Sequence, residues 1–544
     1  MKTQRLYLCC AAVLLCLLSH SATAQQAIVP VKREFRAVWI SSIANLDYPK
    51  RPNAERVALK EEFKNLVDQY KKLGFNAVIV QMRPAADALY ASKQVPWSKY
   101  LTGAQGRPPY PEFDPLQFMV EETHLRGMEF HAWLNPYRAT ADLDTLSLSP
   151  VHAFRLHRDW MVRYGNRFYF NPAIPEVRQH ISDVVAEVVD NYDVDAIHFD
   201  DYFYPYPEKN AKLADSSDYR FFGLGFRTIE DWRRSNIDAL IETVSQRIKA
   251  SKTHVKFGVS PFGVWRNKDK DPQFGSDTRA GVTCYDDLYA DVLKWIRNGW
   301  IDYVIPQIYW NIGYSPADHT TLLNWWSTVV QDCHLYIGHA AYKVGNNAEP
   351  AWNDPGEIPR QIRLNRRTAK CLGSAYFRSQ SVLLNPLALV DSLALYYAPK
   401  ALIPEMPALE QPLANTPKLQ TIWPQKGKVK LRWKANKVDK IQPPRYYVIY
   451  RFDGDYAGNF DDPRNILAIT PMGAQSRKQK FIDESAQTGL FYTYAVTAVN
   501  RQHTESKPSK PRAILKKPQG LRWARLGTPP GERERGREGE RERL

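Results

Sequence analysis

Between Glu34 and about Tyr397 one two-part unit recurs: a short apolar run, a polar or aromatic loop, then an amphipathic stretch with helical spacing. No other feature narrows the fold as far, because strands that alternate with helices lie parallel and are joined by helical crossovers. The apolar runs fall at residues 35–41, 76–83, 130–135, 194–199, 255–260, 301–310, 335–342 and 373–378. Residues 56–73 keep Leu59, Phe63, Leu66, Val67 and Tyr70 on one helical side and stop at Gly74, and residues 115–126 stop at Gly127. Val177, Ile181, Val184, Val185, Val188 and Val189 make a third stripe, and further helices are expected at 229–250, 286–298, 358–370 and 386–396. Counted as eight strands and as many helices, residues 34–397 read as a closed (β/α)8 TIM-type barrel, with an open sheet of six or seven units as the runner-up. Pro306 removes a ladder donor from the sixth run and is read as a bulge near its end.

Such barrels carry their sites at the carboxyl ends of the strands, and the long loops here follow strands two to five on that side. The fourth run, Val194-Asp195-Ala196-Ile197-His198-Phe199, passes directly into Asp200-Asp201 and the aromatics Tyr202, Phe203 and Tyr204. A random Asp-Asp at a strand end more often caps a turn or makes a salt bridge than catalyses. Its surroundings change that balance, since cutting a glycosidic bond needs a carboxylate beside the anomeric carbon and a proton donor at the leaving oxygen. Alternation puts His198 and Asp200 on the lumen face, with Asp201 behind it or turned in by the loop. Asp200 and Asp201 are the candidate catalytic pair.

No carboxylate ends strands five to eight, so Asp47, Asp87, Asp269, Asp271 and Asp277 are alternative proton donors by loop position. On an acetamido sugar the neighbouring pair would suffice, one residue orienting the amide and the other protonating. Candidate substrate-binding residues at the strand ends are Trp39, Gln81, Arg83, Asp87, Asn135, Tyr137, Arg138, His198, Tyr202, Trp265, Gln307, Tyr309, Trp310 and Tyr376, with Tyr204, His339 and Arg378 similarly placed. Aromatic faces stack on pyranose rings, while amides and guanidinium groups bind hydroxyls; each of these residues is equally suited to core packing. His131, His198 and His339 lie on separate runs without metal-ligand spacing, and no phosphate-cradling loop, dinucleotide fingerprint or nucleophile elbow is present. No metal and no cofactor is expected.

Residues 1–24 have the layout of a signal peptide: Lys2 and Arg5, an apolar run from Leu6 to Leu18, then small residues before a cleavage point ahead of Gln25. Leu14 and Leu15 are too bulky to favour lipid attachment at Cys16, and no stretch is long enough for a transmembrane helix. An exported chain, periplasmic or extracellular and associated with the cell envelope, follows. Cys284, Cys333 and Cys371 then remain, an odd number that argues against a disulfide-built fold. The net charge of +16 is dispersed, without the basic and aromatic groove of a nucleic-acid binder, so nucleic acid is not the expected partner. Prolines recur through 398–417, which reads as a linker. Short strands separated by turns over 418–517 read as a β-sandwich that resembles a fibronectin type III domain, and the Arg/Glu-rich 518–544 is expected to be a disordered tail.

The motifs also carry a family resemblance. They are Arg36-Ala37-Val38-Trp39 with Asn45 and Tyr48-Pro49, Gln81-Met82-Arg83-Pro84-Ala85-Ala86-Asp87, Trp133-Leu134-Asn135-Pro136-Tyr137, Asn171-Pro172, His198-Phe199-Asp200-Asp201-Tyr202, Ser260-Pro261-Phe262-Gly263 and Pro306-Gln307-Ile308-Tyr309-Trp310. The barrel region resembles glycosyl-hydrolase-like family ten, a family of exported bacterial proteins. The resemblance implies an envelope glycoside hydrolase, with peptidoglycan glycan strands stripped of stem peptides as the leading substrate and a nucleophile at the end of strand four, on Asp200. Another polysaccharide, dietary or capsular, and a non-catalytic glycan-binding barrel are the competing expectations.

Overall fold

The computed structural model describes residues 28–527 apart from 53–54, 407–408, 410–413, 426, 436–443, 472–477 and 519. The expected signal peptide, residues 1–24, lies outside the described residues; Val31–Leu544 form the main unit. Among the described residues no helix is long and apolar enough to cross a membrane.

Eight parallel strands close a barrel in sequential order: β1 Phe35–Ile40, β2 Ala77–Arg83, β3 Glu129–Leu134, β4 Ala196–Phe199, β5 Lys256–Val259, β6 Tyr303–Val304, β7 His334–His339 and β8 Cys371–Tyr376. Closure is made by β8 against β1, with Phe35 opposite Gly373 and Val38 opposite Tyr376. Strands β1 to β5 are buried along their whole lengths, covered by helices outside and filled within, which is why they read as unbroken apolar runs. The helices start and stop where local chemistry says they should. Asp114 caps Pro115–Leu125 by accepting from Leu116 and Gln117 N–H, and Gly74 and Gly127 follow their helices at positive φ.

Four expectations need correction. The sixth strand is two residues long rather than ten, because Pro306 cannot donate toward β7; Ile305 and Gln307 still donate to Val259 and Pro261 on the other side. A helix between β6 and β7, His319–Val329 capped by Asp318, had been counted but not marked, and the loop after β3 contains a hairpin, Met161–Tyr164 with Arg167–Phe170. Of the expected linker 398–417, residues 398–406 pack on the barrel. Leu402 bridges in parallel to Arg33, and Ile403 and Met406 plug the amino-terminal end of the lumen against Phe35, Ala77 and Tyr336. The expected tail begins too early, since Leu521–Ala524 pair with Arg512–Lys516; its residues 528–544 lie outside the described residues.

The C-terminal region is all-β and antiparallel: β9 Lys418–Gln425, β10 Lys428–Lys434, β11 Tyr446–Asp453, β12 Ile466–Pro471, β13 Lys478–Asp483, β14 Phe491–Val499, β15 Arg512–Lys516 and β16 Leu521–Ala524. They form one sheet in the order β9-β10-β13 and another in the order β12-β11-β14-β15-β16. Val429, Leu431 and Trp433 alternate inward from β10 to meet Tyr447, Ile449, Tyr494 and Val496. This region docks on the amino-terminal ends of β3 to β5 through buried charge. Glu129 takes Lys256, His131 at 2.9 Å and His503 at 2.6 Å, while Asp195 takes His124 and Arg445, each at 2.8 Å.

Burial alone would push the Glu129 carboxyl up, but Lys256 and His503 outweigh it and hold the group well below the usual range. Glu129→Gln would strand the Lys256 ammonium without a counter-charge and is expected to cost about 3–5 kcal/mol in chemical unfolding followed by circular dichroism. The double change Glu129→Leu with Lys256→Met should recover part of that loss.

Candidate active site

Because side chains alternate along a strand, β4 sends Ala196, His198 and then Asp200 up the lumen. His198 sets the floor of the site. Trp39 Nε1 can only donate, so at 3.3 Å from His198 Nε2 it makes that nitrogen the acceptor, which leaves Nδ1–H to donate to Tyr303 Oη at 3.0 Å. Ser260 Oγ completes the contact to Nε2 at 3.0 Å. Burial drives the imidazole well below its ordinary pKa, so the ring is neutral.

Asp200 is held by a relay that begins in the backbone. The N–H groups of Ser42 and Ile43 and the Ser41 hydroxyl all donate to Gln81 Oε1, at 3.0, 2.9 and 3.0 Å. That fixes the amide of Gln81, whose Nε2 donates to Asn135 Oδ1 at 2.6 Å. The Asn135 amide is fixed in turn and presents Nδ2 to Asp200 Oδ2, an oxygen that also accepts from Trp133 Nε1 at 3.3 Å. Tyr202 N–H reaches Oδ1 at 3.3 Å. Asp200 therefore accepts only from nitrogen donors.

Asp201 is turned into the same cavity by the loop, where the Tyr206 hydroxyl donates to it and the Gln307 side chain hydrogen-bonds it. Burial, then the charge of Asp201, pushes Asp200 up to about 7. Burial raises Asp201 as well, and Arg138, whose guanidinium lies 4.6 Å from the Tyr202 ring centroid, offsets part of both shifts. Two carboxylates so placed keep one proton between them near neutral pH. The arrangement can present a carboxylate and a carboxylic acid to one bound group.

The cavity measures about 310 Å³ and its lining includes Trp39, Gln81, Trp133, Arg138, Asp200, Asp201, Tyr202, Tyr206, Gln307, Tyr309, Tyr342 and Phe377. Of the expected binding residues, Trp39, Gln81, Arg138, Tyr202, Gln307 and Tyr309 reach it, and Asn135 and His198 stand directly behind. The others are placed elsewhere. Arg83 is buried against the Asn135 and Pro136 carbonyls, Tyr376 bonds Tyr397 at 2.7 Å, and Trp265 stacks on Trp325. Tyr137, Tyr204 and Trp310 lie outside the lining, as do His339, bonded to Gln361 and Ser374, and Arg378, paired with Asp47.

Nor do the alternative proton donors reach the cavity. Asp47 accepts from Ser41 and Gln380 N–H, and Asp87 from Ala85 N–H and Gln105. Asp271 caps its own turn at Gln273 and Phe274, and Asp269 and Asp277 are exposed. Among the described residues the only carboxylates lining the cavity are Asp200 and Asp201. Trp133, Tyr206, Tyr342 and Phe377 also line the cavity and are not among the residues expected there. Tyr206 continues the aromatic series after Asp201, and Trp133 sits one turn of alternation before Asn135, so both signals were present.

A family model described as "Glycosyl hydrolase-like 10" matches residues 34–354. Glycosyl hydrolase YngK of Bacillus subtilis is 46% identical over 484 residues, covering 88% of this chain and 93% of its own length. Glycosyl hydrolase DigH of Escherichia coli K12 is 41% identical over 380 residues, covering 66% of this chain and 84% of its own length. Among solved structures, the glycoside hydrolase domain of PgaB (BpsB) from Bordetella bronchiseptica matches at 13% identity and a TM-score of 0.45, covering 68% of this chain and 98% of that one.

Asp200 titrates higher when folded than when unfolded, so its contribution to stability is complete below the unfolded carboxyl value and is lost as the pH rises through about 7. Asp200→Asn stays neutral at every pH. Its melting temperature relative to the parent is expected to rise from pH ~5 to pH ~8. A pH-independent difference would locate the buried charge elsewhere.

Proposed function

The chain belongs to the glycosyl hydrolase-like 10 family, and from that premise we propose that it hydrolyses an envelope glycan containing N-acetylhexosamines, peptidoglycan strands without stem peptides foremost. The observation that carries this reading is the cavity lining, in which two sequence neighbours are the only carboxylates among the described residues. A conventional pair of carboxylates flanks the scissile bond from two separate positions, whereas adjacent residues suit a substrate that brings its own nucleophile.

The acetamido carbonyl oxygen attacks the anomeric carbon as the glycosidic bond breaks, and the leaving oxygen takes a proton from the acid. Water then adds to the anomeric carbon, giving its proton to the same carboxylate and returning the acetamido group. The partners of the two residues divide the roles. Asp200, held by nitrogen donors, is suited to accept the acetamido N–H as a carboxylate, so that with substrate bound the proton the pair holds passes to Asp201. Asp201 meets a phenol, which donates to a carboxylate and accepts from a carboxylic acid, so it tolerates both states that an acid/base passes through. Tyr309 and Phe377, nearly parallel with ring centroids 6.1 Å apart, and Tyr342 supply stacking faces at the mouth.

The leader-like residues 1–24 support an exported, envelope location, and the C-terminal sheets are read as a fibronectin type III-like spacer or docking module.

Asp200→Asn is expected to lose roughly 10³-fold or more in kcat/KM on peptide-free peptidoglycan strands and on an aryl glycoside of an N-acetylhexosamine oligosaccharide alike. Asp201→Asn should lose about 10²–10⁴-fold on the strands but far less on the aryl glycoside, whose leaving group needs no proton. Strands with free amines in place of acetamides should not be cut. Products analysed by mass decide each point; cleavage of deacetylated strands would refute the participation of the acetamide, and cleavage only of a capsular or dietary glycan would redirect the substrate.

A further inference from the structure

The loop after β4 ends in an apolar tip that the catalytic reading does not use. Within six residues it exposes Phe221 (74%), Phe222 (45%), Leu224 (84%) and Phe226 (39%). Side chains of this kind are normally scattered singly on a surface, and four together mark an interaction site. The tip is compact. Tyr219 Oη donates to the Phe226 carbonyl at 3.2 Å, Phe226 N–H to the Gly223 carbonyl at 3.1 Å, and the Phe221 and Phe222 rings meet edge to face at 4.8 Å. Gly223 and Gly225 interrupt the apolar residues; Gly225 takes φ +99°, which turns the chain back.

Charge says what would cover it. The segment reads Arg220-Phe221-Phe222-Gly223-Leu224-Gly225-Phe226-Arg227, an apolar centre between two guanidinium groups, and residues 219–228 contain no carboxylate. Neither arginine enters an ion pair among the described residues, and Lys209 and Lys212 are exposed on the same loop. Of the acids that flank the tip, Asp215 is engaged with Arg233 at 2.6 Å, Asp218 with the Asn171 amide at 2.9 Å and Asp231 with Arg234 at 2.6 Å, while Glu230 is exposed just beyond it. Aromatic and aliphatic side chains that enter the acyl boundary, flanked by cations that stay with the headgroups, make up an interfacial membrane anchor. Within 219–228 the charge has one sign, which matches anionic headgroups, and the chain's net charge of +16 adds to the same attraction.

We propose that the 219–228 tip docks the protein on an anionic lipid bilayer. The tip belongs to the same loop as Asp201 and Tyr206, on the carboxyl side of the barrel, so docking would hold the cavity mouth at a fixed attitude to the membrane surface. This inference does not depend on the hydrolase reading.

The main compact unit starts at Val31, so the chain from Gln25 carries the whole fold without the apolar N-terminal run. Its binding to phosphatidylglycerol/phosphatidylethanolamine vesicles is to be measured by co-sedimentation, with phosphatidylcholine vesicles as the uncharged reference. The wild type should bind the anionic vesicles at least tenfold more tightly than the variant with Phe221, Phe222, Leu224 and Phe226 all changed to Ser. Arg220→Gln with Arg227→Gln should weaken binding threefold or more. Phe222→Trp should shift its emission to the blue on anionic vesicles and not on phosphatidylcholine. All of these positions are exposed, and unchanged melting temperatures confirm that the variants fold. Equal binding by wild type and the Ser variant, or none by either, overturns the proposal; that is also the result expected of a tip that serves a protein partner.

Discussion

A barrel lumen is dry, and each polar atom placed in it must find its partner there or cost the fold the full penalty of burial. This protein meets that condition with one column of hydrogen bonds along the axis. Trp39 Nε1 donates to His198, His198 to the Tyr303 hydroxyl, that hydroxyl to His131 Nδ1 at 2.9 Å, and His131 Nε2 to Glu129 at 2.9 Å. Because the indole can only donate, the direction of every later bond follows from the first. Both imidazoles are neutral on that scheme, in keeping with the downward push that burial gives each. The negative end, Glu129, is then the natural place for the cations Lys256 supplies from β5 and for His503 from the C-terminal region.

The same economy of donors separates the two aspartates. Above His198 the lumen wall offers amides and an indole, so whatever carboxylate β4 delivers there is fastened by N–H groups and made an acceptor. One residue on, the strand has ended, alternation no longer applies, and the chain offers Asp201 a phenol instead. Two residues of identical chemistry thus acquire different hydrogen-bond partners from the place where a strand stops. The Gln81–Asn135 relay matters for the same reason: without the backbone donors at Ser42 and Ile43, either amide could rotate and set an oxygen against the Asp200 carboxylate.

What was legible in the sequence follows these physical lines. Strands buried on both faces leave unbroken apolar runs, so all eight were found, and their alternation placed Asp200 correctly in the lumen. Pro306, expected as a bulge near the strand end, interrupts the ladder toward β7, and the pairing resumes at Gln307 opposite Gly338. Residues 398–417 looked like a linker because prolines hide periodicity. The burial of Leu402, Ile403 and Met406 depends on contacts with the start of β1 some 370 residues away, and no local pattern records that. Loop-borne contributors were harder still: Tyr342 and Phe377 reach the cavity from different strand ends, and Arg83, Tyr137 and Tyr376 have the right chemistry at strand ends yet turn away from it.

The column also explains why an appended domain can be fastened so firmly without obstructing the site. Its attachment points, Glu129, Asp195 and Lys256, stand at the starts of β3 and β5 and just ahead of β4, whereas the aspartate pair stands past the end of β4. The C-terminal sheets therefore sit at one end of the barrel and leave the aspartate pair at the other. The segment 398–406 must cross that covered end to reach them, and burying Leu402, Ile403 and Met406 there closes the lumen from below. The second domain therefore does not compete with the cavity mouth or with the loop tip at 219–228, which share the carboxyl end of the barrel.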